Sequence, residues 1–315
     1  MPKPAPQSAD PKTQNPIGFS EWAVNAAIQT ALWLLHRLPY RLRVPFGGWV
    51  FANIVTPLAG YRRRIGENLD HVMPDLPTTE RKRLMRAVPN NIGRTVTELY
   101  SPTEFRAVAL DAPISGAGLD AIKQAQAEGR PSMLVSGHFG NYDVIRASLL
   151  HKGFRIGGLY RPMNNRPFND HYVATISTIG TPLFERGRRG MADMIRFLRG
   201  GGTLAILIDQ HMRAGAPLTF FGKTAWTALS TAEMALKYDA VMIPCYAVRR
   251  ADGINFDVRL EAPVPHTTAE EMTQALNDSL EAIVRENMDQ WFWIHRRWKA
   301  PPKHMTISDE DDDLL

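Results

Sequence analysis

The segment MLVSGHFGNYDVI, residues 133–145, carries a histidine and an aspartate five positions apart, where a hydrophobic run ends. His138 closes the run, Asp143 begins the next apolar stretch, and Gly140 between them gives the chain freedom to turn. A carboxylate bound to one imidazole nitrogen fixes the tautomer and stabilises the imidazolium that forms when the other nitrogen accepts a proton. We therefore expect His138 to act as a general base with Asp143 as its partner. The alternative is a helix-capping histidine beside a solvated acid in the first helical turn.

This pair has no accompanying protein nucleophile. Ser136 precedes His138 by two positions, and the segment lacks the G-x-S-x-G turn of serine hydrolases. The group that loses its proton is therefore expected to be a substrate hydroxyl. A serine hydrolase is the alternative, and it predicts covalent labelling by a fluorophosphonate. Neither a metal nor a cofactor is expected, because the single cysteine, Cys245, lies in an apolar run and no phosphate-binding glycine motif is present.

Short apolar runs alternate with segments of helical period after residue 110. This alternation predicts an α/β domain over residues 111–300, with a mostly parallel twisted sheet flanked by helices. The predicted strands are 132–137, 155–160, 181–185, 203–208, 241–249 and 254–260. The predicted helices are 118–128, 141–152, 167–178, 188–199, 227–238 and a last helix near 268–289.

Polar side chains directly follow four of these strands. Parallel strands end at the same edge of a sheet, which is where such folds bind their ligands. The residues that follow the four strands are His138, Arg161, Arg186 and the pair Asp209 and Gln210. A base candidate, two cations and a carboxylate with an amide are thus expected along one edge. This combination favours a site that handles an anionic substrate.

The N-terminal part is predicted to be a membrane-associated helical segment, residues 17–110. Residues 19–35 read FSEWAVNAAIQTALWLL, a predicted helix with a thin polar stripe that is shorter than the roughly 20 residues needed to span a bilayer core. A second apolar stretch follows at 44–61, and arginines flank both segments. Tryptophans with flanking arginines are typical of an interfacial anchor on the cytoplasmic leaflet. An amphipathic helix packed on the domain and a single span are the alternatives.

The charge of the chain is unevenly distributed. Five acids at 309–313 belong to the last segment, and without them 37 Lys and Arg face 27 Asp and Glu, a net charge of +10 against +5 for the whole chain. A basic body suits nucleic acid, phospholipid headgroups or an acidic carrier protein. The arm 1–16, which lacks the features of a signal peptide, and the acidic tail 301–315 are predicted to be disordered.

The run WFWIHRRWK, residues 291–299, combines aromatic and basic residues, as nucleic-acid contacts do. No nucleic-acid-binding module surrounds it, so nucleic acid is not expected as a partner. We expect Trp291 and Trp293 to pack or to meet lipid, and Arg296 and Arg297 to face phosphates.

The ordered set of motifs resembles the bacterial lipid A biosynthesis acyltransferases, the lauroyl and myristoyl transferases of the lysophospholipid acyltransferase superfamily. The superfamily signature H-x-x-x-x-D/E is met by His138 and Asp143. Further similar elements are YRPMNN from Tyr160, LIDQH around Asp209, TFFGK from Thr219, and the flanking segments RRRIGENLDHVMP and WFWIHRRWK. The resemblance covers roughly residues 20–300.

The resemblance implies an O-acyltransferase of lipid A and lipopolysaccharide biosynthesis, at the cytoplasmic face of the inner membrane. It would move a fatty acyl chain from the thioester of acyl carrier protein, or of coenzyme A, to a hydroxyl of an anionic lipid acceptor. The implied catalytic residues are His138 and Asp143, and the implied substrate-binding residues are Arg161, Asn164, Arg186, Asp209 and Gln210. A lyso-phospholipid, mannolipid or lyso-aminolipid acceptor is an alternative, as is a non-catalytic membrane scaffold.

Overall fold

The computed structural model describes residues 18–299, so the arm 1–16 and the tail 301–315 lie outside the described residues. Helices come first along the chain. They are α1 (Phe19–Leu35), α2 (Tyr40–Val50), α3 (Thr56–Leu58), α4 (Tyr61–Val72), α5 (Thr78–Leu99) and α6 (Pro102–Leu110), with a π-helical turn, Phe51–Val55, between α2 and α3.

A seven-stranded sheet lies at the centre of the molecule. Its strands are β1 (Ile114–Ser115), β2 (Ser132–Ser136), β3 (Ile156–Tyr160), β4 (Leu183–Glu185), β5 (Thr203–Leu207), β8 (Val241–Arg249) and β9 (Phe256–Leu260). Their order across the sheet is β1-β9-β8-β2-β5-β3-β4, and every neighbouring pair is parallel except β8 and β9. A separate antiparallel hairpin consists of β6 (Ala216–Phe220) and β7 (Lys223–Thr227).

Helices cover both faces of this sheet, which is why its central strands read as continuous hydrophobic runs. They are α7 (Gly118–Ala127), α8 (Asp143–His151), α9 (Arg166–Ile179), α10 (Arg188–Arg199), α11 (Ser230–Tyr238) and α12 (Ala269–Glu286), followed by a 3₁₀ turn, Met288–Gln290. Successive side chains of β2 enter opposite cores: Leu134 packs with residues of α7 and α8, whereas Met133 and Val135 pack with residues of α10, α11 and α12.

The predicted α/β architecture with a mostly parallel sheet is confirmed. Each predicted strand is present within two residues of its expected bounds, and each predicted helix after residue 110 is present within three. Two features differ. The strand β9 runs antiparallel to β8, and the hairpin β6–β7 occupies a segment for which no strand was predicted. The hairpin turns at Phe221 and Gly222, both with positive φ, and Phe-Gly is not among the dipeptides that usually signal such a turn.

The helix α1 presents several large apolar side chains to solvent. Trp22, Val24, Trp33 and Leu34 are each more than half exposed, whereas Glu21 and Asn25 of the polar stripe are half-buried. The backbone carbonyl of Glu21 accepts a hydrogen bond from the Asn165 side chain, on the α9 side. The predicted helix at 19–35 is thus present, and the first two residues of its polar stripe are less exposed than its tryptophans. Within residues 18–299, no helix combines the length and apolarity that a bilayer crossing requires.

The helices α2 and α5 approach each other closely through glycines. A Cβ atom placed on Gly93 would lie 2.4 Å from the Cβ of Phe51, and one on Gly47 would lie 1.9 Å from the Thr97 hydroxyl. No larger residue fits these positions without moving the two helices apart. This packing fixes α5, which in turn contacts the loop after β2 that carries His138.

Candidate active site

Two adjacent strands bring His138 and Asp209 together. In the parallel pair β2 and β5, Ser136 lies opposite Leu207, so the chain positions two residues beyond each strand are also opposite. The His138 Nδ1 atom lies 2.7 Å from Asp209 Oδ1, and the His138 backbone N–H donates to Asp209 Oδ2 at 2.8 Å. The carboxylate therefore holds the ring and the backbone of the same histidine.

The Asp209 carboxylate is fully buried and ionised. Burial alone would raise its pKa, but the charge of His138, the hydrogen bonds from that residue and the nearby His295 hold the pKa of Asp209 well below its usual range. The Trp291 indole N–H donates a further hydrogen bond to Oδ2 at 2.8 Å. A charge held by three donors is a fixed counterion for an imidazolium ring.

Asp143 has a different partner from the one expected. Its Oδ1 accepts a hydrogen bond from Arg146 Nε at 3.0 Å and forms an ion pair with Nη2 at 2.9 Å, and no ion pair within residues 18–299 joins it to His138. Asp143 is the first residue of α8, and side chains three positions apart on a helix are neighbours. Arg146 also donates to the Gly180 carbonyl at 2.6 Å. The predicted contact between His138 and Asp143 is therefore wrong, and Asp143 ties α8 to the end of α9.

The turn between His138 and Asp143 depends on Gly140, as expected from the sequence. Gly140 has φ +55°, and a Cβ atom there would lie 2.0 Å from the Ala247 carbonyl oxygen. Its N–H donates to the Gln290 carbonyl at 2.8 Å, and its own carbonyl accepts from the Thr95 hydroxyl at 2.9 Å. Backbone bonds from two elements thus fix the position of the loop.

A buried ion pair also holds this loop in place. Glu98 of α5 is fully buried and pairs with Arg249 at the end of β8. The Asn141 side-chain amide donates to Glu98 Oε2 at 2.9 Å, so the ion pair also anchors the loop after His138. None of these residues lines the cavity beside His138.

A cavity of about 320 Å³ opens beside His138 at the carboxyl edge of the sheet. Mid-strand residues give it apolar walls, namely Leu134, Leu159, Ala205, Ile206 and Cys245. Strand-end residues give it a polar mouth, namely His138, Arg161, Arg186 and Gln210. Such a cavity offers a hydrocarbon chain an apolar interior and an anionic group a cationic entrance. Within residues 18–299, no three His, Cys, Asp or Glu side chains are grouped closely enough to hold a metal ion.

The structure brings together most of the residues predicted for the site. Asp143, Arg161, Arg186 and Gln210 line the cavity with His138. Asp209 does not line it; because this carboxylate is buried behind the histidine, the prediction that it contacts substrate is wrong. Asn164 is exposed and lies outside the cavity lining.

The C-terminal segment supports the site, a role that the sequence did not reveal. Trp291, Trp293 and Arg297 are fully buried. Burial lowers the pKa of Arg297 to about 10. The Arg297 guanidinium donates to the Thr227 hydroxyl at 2.6 Å and to the Gln210 carbonyl at 3.5 Å. The expectation that Arg297 faces phosphates is therefore wrong. The abundance of tryptophan in this run was the available signal for burial.

A second histidine lies against the first. The His295 ring is edge-on to that of His138, with centroids 5.0 Å apart. Burial, and then the charge of His138, lower the pKa of His295 to about 4. Its Nε2 atom is buried without a hydrogen-bond partner in the described structure. His138 thus lies between an ionised carboxylate and a neutral imidazole.

Comparison with known proteins gives a consistent result. The sequence profile of a family described as "Bacterial lipid A biosynthesis acyltransferase" matches residues 7–300. A "Lipid A biosynthesis acyltransferase" of Haemophilus influenzae is 26% identical over 285 residues, covering 86% of this chain and 88% of the relative. A "Lipid A biosynthesis palmitoleoyltransferase" of Escherichia coli is 25% identical over 282 residues, with 86% and 89% covered. A "Phosphatidylinositol mannoside acyltransferase" of Mycobacterium tuberculosis is 22% identical over 297 residues, with 92% of each chain covered.

Proposed function

Because this chain belongs to the bacterial lipid A biosynthesis acyltransferase family, whose members transfer acyl groups to lipids, we propose a specific reaction for it. It moves a fatty acyl chain from the thioester of an acyl carrier protein to a hydroxyl of a lipid A precursor. His138 is the general base, and Asp209 rather than Asp143 is its carboxylate partner.

The bond between His138 and Asp209 carries this proposal. It engages Nδ1 and leaves Nε2 as the ring nitrogen that can accept a proton, on a side chain that is 24% exposed and borders the cavity. The ionised carboxylate stabilises the imidazolium that results. The Ser136 hydroxyl has no hydrogen-bond partner in the described structure, which supports a substrate hydroxyl as the nucleophile over a serine.

The reaction has two steps in this proposal. His138 Nε2 takes the proton of the acceptor hydroxyl while the oxygen attacks the thioester carbonyl carbon and forms the new C–O bond. The tetrahedral intermediate then collapses, the C–S bond breaks, and the leaving thiolate takes the proton from the imidazolium. An ester and a free thiol are the products.

Arg161 and Arg186 serve the charges of the substrates in this proposal. Both line the cavity mouth, where a phosphate of the acceptor and the developing oxyanion are negatively charged. A guanidinium held near such a charge stabilises the transition state more in a water-poor cavity than in water. A phosphate-bearing acceptor uses these two cations, which favours a lipid A precursor over an uncharged lipid. The mycobacterial relative makes a phosphatidylinositol mannoside the second acceptor to test.

The N-terminal helices bring the enzyme to the cytoplasmic face of the inner membrane in this proposal. Ten of the twelve large apolar side chains that are exposed in the described part of the chain lie between Trp22 and Leu58. Clustered exposed apolar side chains mark interaction surfaces, and the tryptophans suit the headgroup region of a bilayer.

The test is an acyl-transfer assay on the purified full chain, with acyl carrier protein thioester as donor and a lipid A precursor as acceptor, read by mass spectrometry of the lipid. We expect His138→Ala to lower kcat by at least about 10²–10⁴-fold. The matched control is His151→Ala, which changes an exposed histidine at the end of α8 and should leave kcat unchanged.

Three results would change the proposal. Full activity of His138→Ala would contradict the general-base role. Faster turnover with acyl coenzyme A would replace the donor, and turnover only with phosphatidylinositol mannoside would replace the acceptor.

A further inference from the structure

A second, strongly cationic basin of about 750 Å³ adjoins the His138 loop through Gln290. One wall is a stripe of α5, where Lys82, Arg86, Asn90 and Arg94 follow at four-residue spacing and share a helix face. The opposite wall is the turn between β8 and β9, which contributes Arg249, Arg250, Ala251 and Gly253. The reaction proposed above uses none of these side chains.

Three cations of the basin have no carboxylate partner within the described part of the chain. Arg83 pairs with Glu80, Arg249 with Glu98 and Arg250 with Asp257. Lys82 and Arg86 make no hydrogen bond or ion pair within residues 18–299. Asp289 is the one acid among the lining residues, and its nearest ion pair is with Arg83 at 4.0 Å. The basin is therefore left with unneutralised positive charge.

Among the three cations, Arg94 gives the strongest evidence for a bound anion. Its guanidinium is half-buried and donates to two neutral acceptors, the Asn90 side chain at 2.8 Å and the Gly253 carbonyl at 3.0 Å. Burial, and then the like charge of Arg249, lower the pKa of Arg94. Glu98 opposes this shift, but it pairs with Arg249, and both hydrogen-bond acceptors of Arg94 itself are neutral. A half-buried guanidinium without a directly bound carboxylate is costly. This arrangement points to an anion that enters from solvent.

We propose that the basin binds the phosphate group of an anionic membrane phospholipid. Ala52 and Asn53 line its rim, and the chain continues directly into Ile54, Val55 and Leu58, which are exposed, Leu58 by 84%. Apolar side chains beside free cations match the boundary between acyl chains and headgroups. An acidic protein would satisfy the cations but would leave no role for the apolar rim.

The basin lies next to the catalytic loop, which links lipid binding there to the active site. Gln290 lines the basin, and its backbone carbonyl holds the N–H of Gly140 in the catalytic loop. Arg249, on the opposite wall, ends β8 at the same sheet edge at which His138 follows β2. A phospholipid bound there turns the cavity mouth toward the bilayer that supplies the acceptor. This step rests on the proposed function, whereas the binding itself does not.

The test measures partitioning of the purified full chain onto vesicles of phosphatidylcholine, with and without phosphatidylglycerol. The variant is Lys82→Gln with Arg86→Gln, two exposed residues on a helix that glutamine tolerates. Each cation near an anionic membrane contributes about 1 kcal/mol, or roughly fivefold in partitioning, so the double variant should bind anionic vesicles roughly 25-fold more weakly. Its binding to pure phosphatidylcholine should not change.

The matched control is Lys152→Gln with Arg199→Gln, two exposed cations at the amino edge of the sheet. Equal losses in the two double variants would overturn the proposal, because attraction would then be diffuse. It would also be overturned if the basin variant kept its vesicle affinity but showed a raised KM for acyl carrier protein, which would assign the basin to that acidic partner.

Acyl transfer to a detergent-solubilised acceptor, with acyl carrier protein thioester as donor, separates this proposal from the proposed function. A wild-type chain that transfers acyl groups in detergent but ignores anionic vesicles would refute the basin proposal alone. A chain that binds these vesicles through the basin yet transfers no acyl group would refute the reaction alone.

Discussion

The end of β5 and the start of α8 each contribute an aspartate near the cavity, and the two carboxylates have different partners. Asp209, beyond β5, is fully buried and binds the His138 ring, its backbone N–H and the Trp291 indole. Asp143, at the first position of α8, binds Arg146. The carboxylate nearer in sequence holds two helices together, whereas the more distant carboxylate faces the base.

Sheet register explains the difference. β2 and β5 are parallel neighbours, so residues at equal distances beyond them lie side by side whatever their separation along the chain. A residue that begins a helix instead has its own i+3 and i+4 positions as nearest neighbours. The H-x-x-x-x-D spacing in this chain therefore marks a loop and a helix start, and register decides which acid meets the histidine.

Asp209→Asn should have the largest effect. Asparagine keeps the size of the side chain but removes the charge that stabilises the imidazolium, and an amide can favour the wrong tautomer. We expect kcat to fall roughly 10³–10⁴-fold with little change in KM. Steady-state acyl transfer measures this effect, and circular dichroism checks folding. If Asp143→Asn lost more kcat than Asp209→Asn, the partner assignment would be reversed.

Asp143→Ala should lower the free energy of unfolding. It leaves the buried guanidinium of Arg146 without its counterion, which costs about 3–5 kcal/mol of unfolding free energy. The kcat of the folded fraction should change by less than tenfold. Urea denaturation measures the loss. Asp193→Ala is the matched control, because Asp193 and Arg196 form a pair of the same i,i+3 spacing on the surface and should contribute less than about 1 kcal/mol. Equal losses would mean that burial does not distinguish the pairs.

Much of the fold and part of the site could be predicted from the sequence. Alternating apolar runs identified the strands of the parallel sheet, and the rule that ligands bind at strand ends gathered His138, Arg161, Arg186 and Gln210 at one cavity. These inferences rest on periodicity and chain direction, which are local properties of a sequence.

The rest of the site depends on contacts between residues that are distant in sequence. The sequence does not state that the strand next to β2 is β5 and not β3, so Asp209 was placed on the rim but not behind His138. The contacts of Arg297 with Thr227 and Gln210 join segments about 70 to 90 residues apart. The hairpin β6–β7 was missed because its turn has Phe221 where asparagine or aspartate is usual.

His295 is a second neighbour of His138, and its ring is neutral whereas the Asp209 carboxylate is ionised. Its folded pKa of about 4 lies below the value of roughly 6.5 in an unfolded chain. As pH falls from about 6.5 to 4, the unfolded state takes up a proton that the folded state does not, so stability decreases by about 2–3 kcal/mol. Above pH 6.5 this contribution to stability is fully present.

His295→Phe should remove that pH dependence. The aromatic ring keeps the packing against Phe292 and His138, and the titrating group is gone. Denaturant unfolding of both proteins between pH 4 and 7 measures the difference. The matched control, His151→Phe, replaces an exposed histidine and should retain the wild-type slope. An identical slope in His295→Phe would mean that other groups carry the pH dependence.

Asn164 and Asn165 are adjacent in sequence but differ in their contacts, as the two aspartates do. Asn165 is the N-cap of α9: its side-chain oxygen accepts from the Phe168 N–H at 3.0 Å, and its amide donates to the Glu21 carbonyl at 2.9 Å. Asn165→Ala should therefore lower the unfolding free energy by about 1 kcal/mol. Asn164 is exposed and outside the cavity lining, so Asn164→Ala should change stability by less than about 0.5 kcal/mol and kcat/KM by less than about twofold. A larger loss of kcat/KM at Asn164 would mean that the acceptor lipid extends beyond the cavity mouth, along the loop before α9.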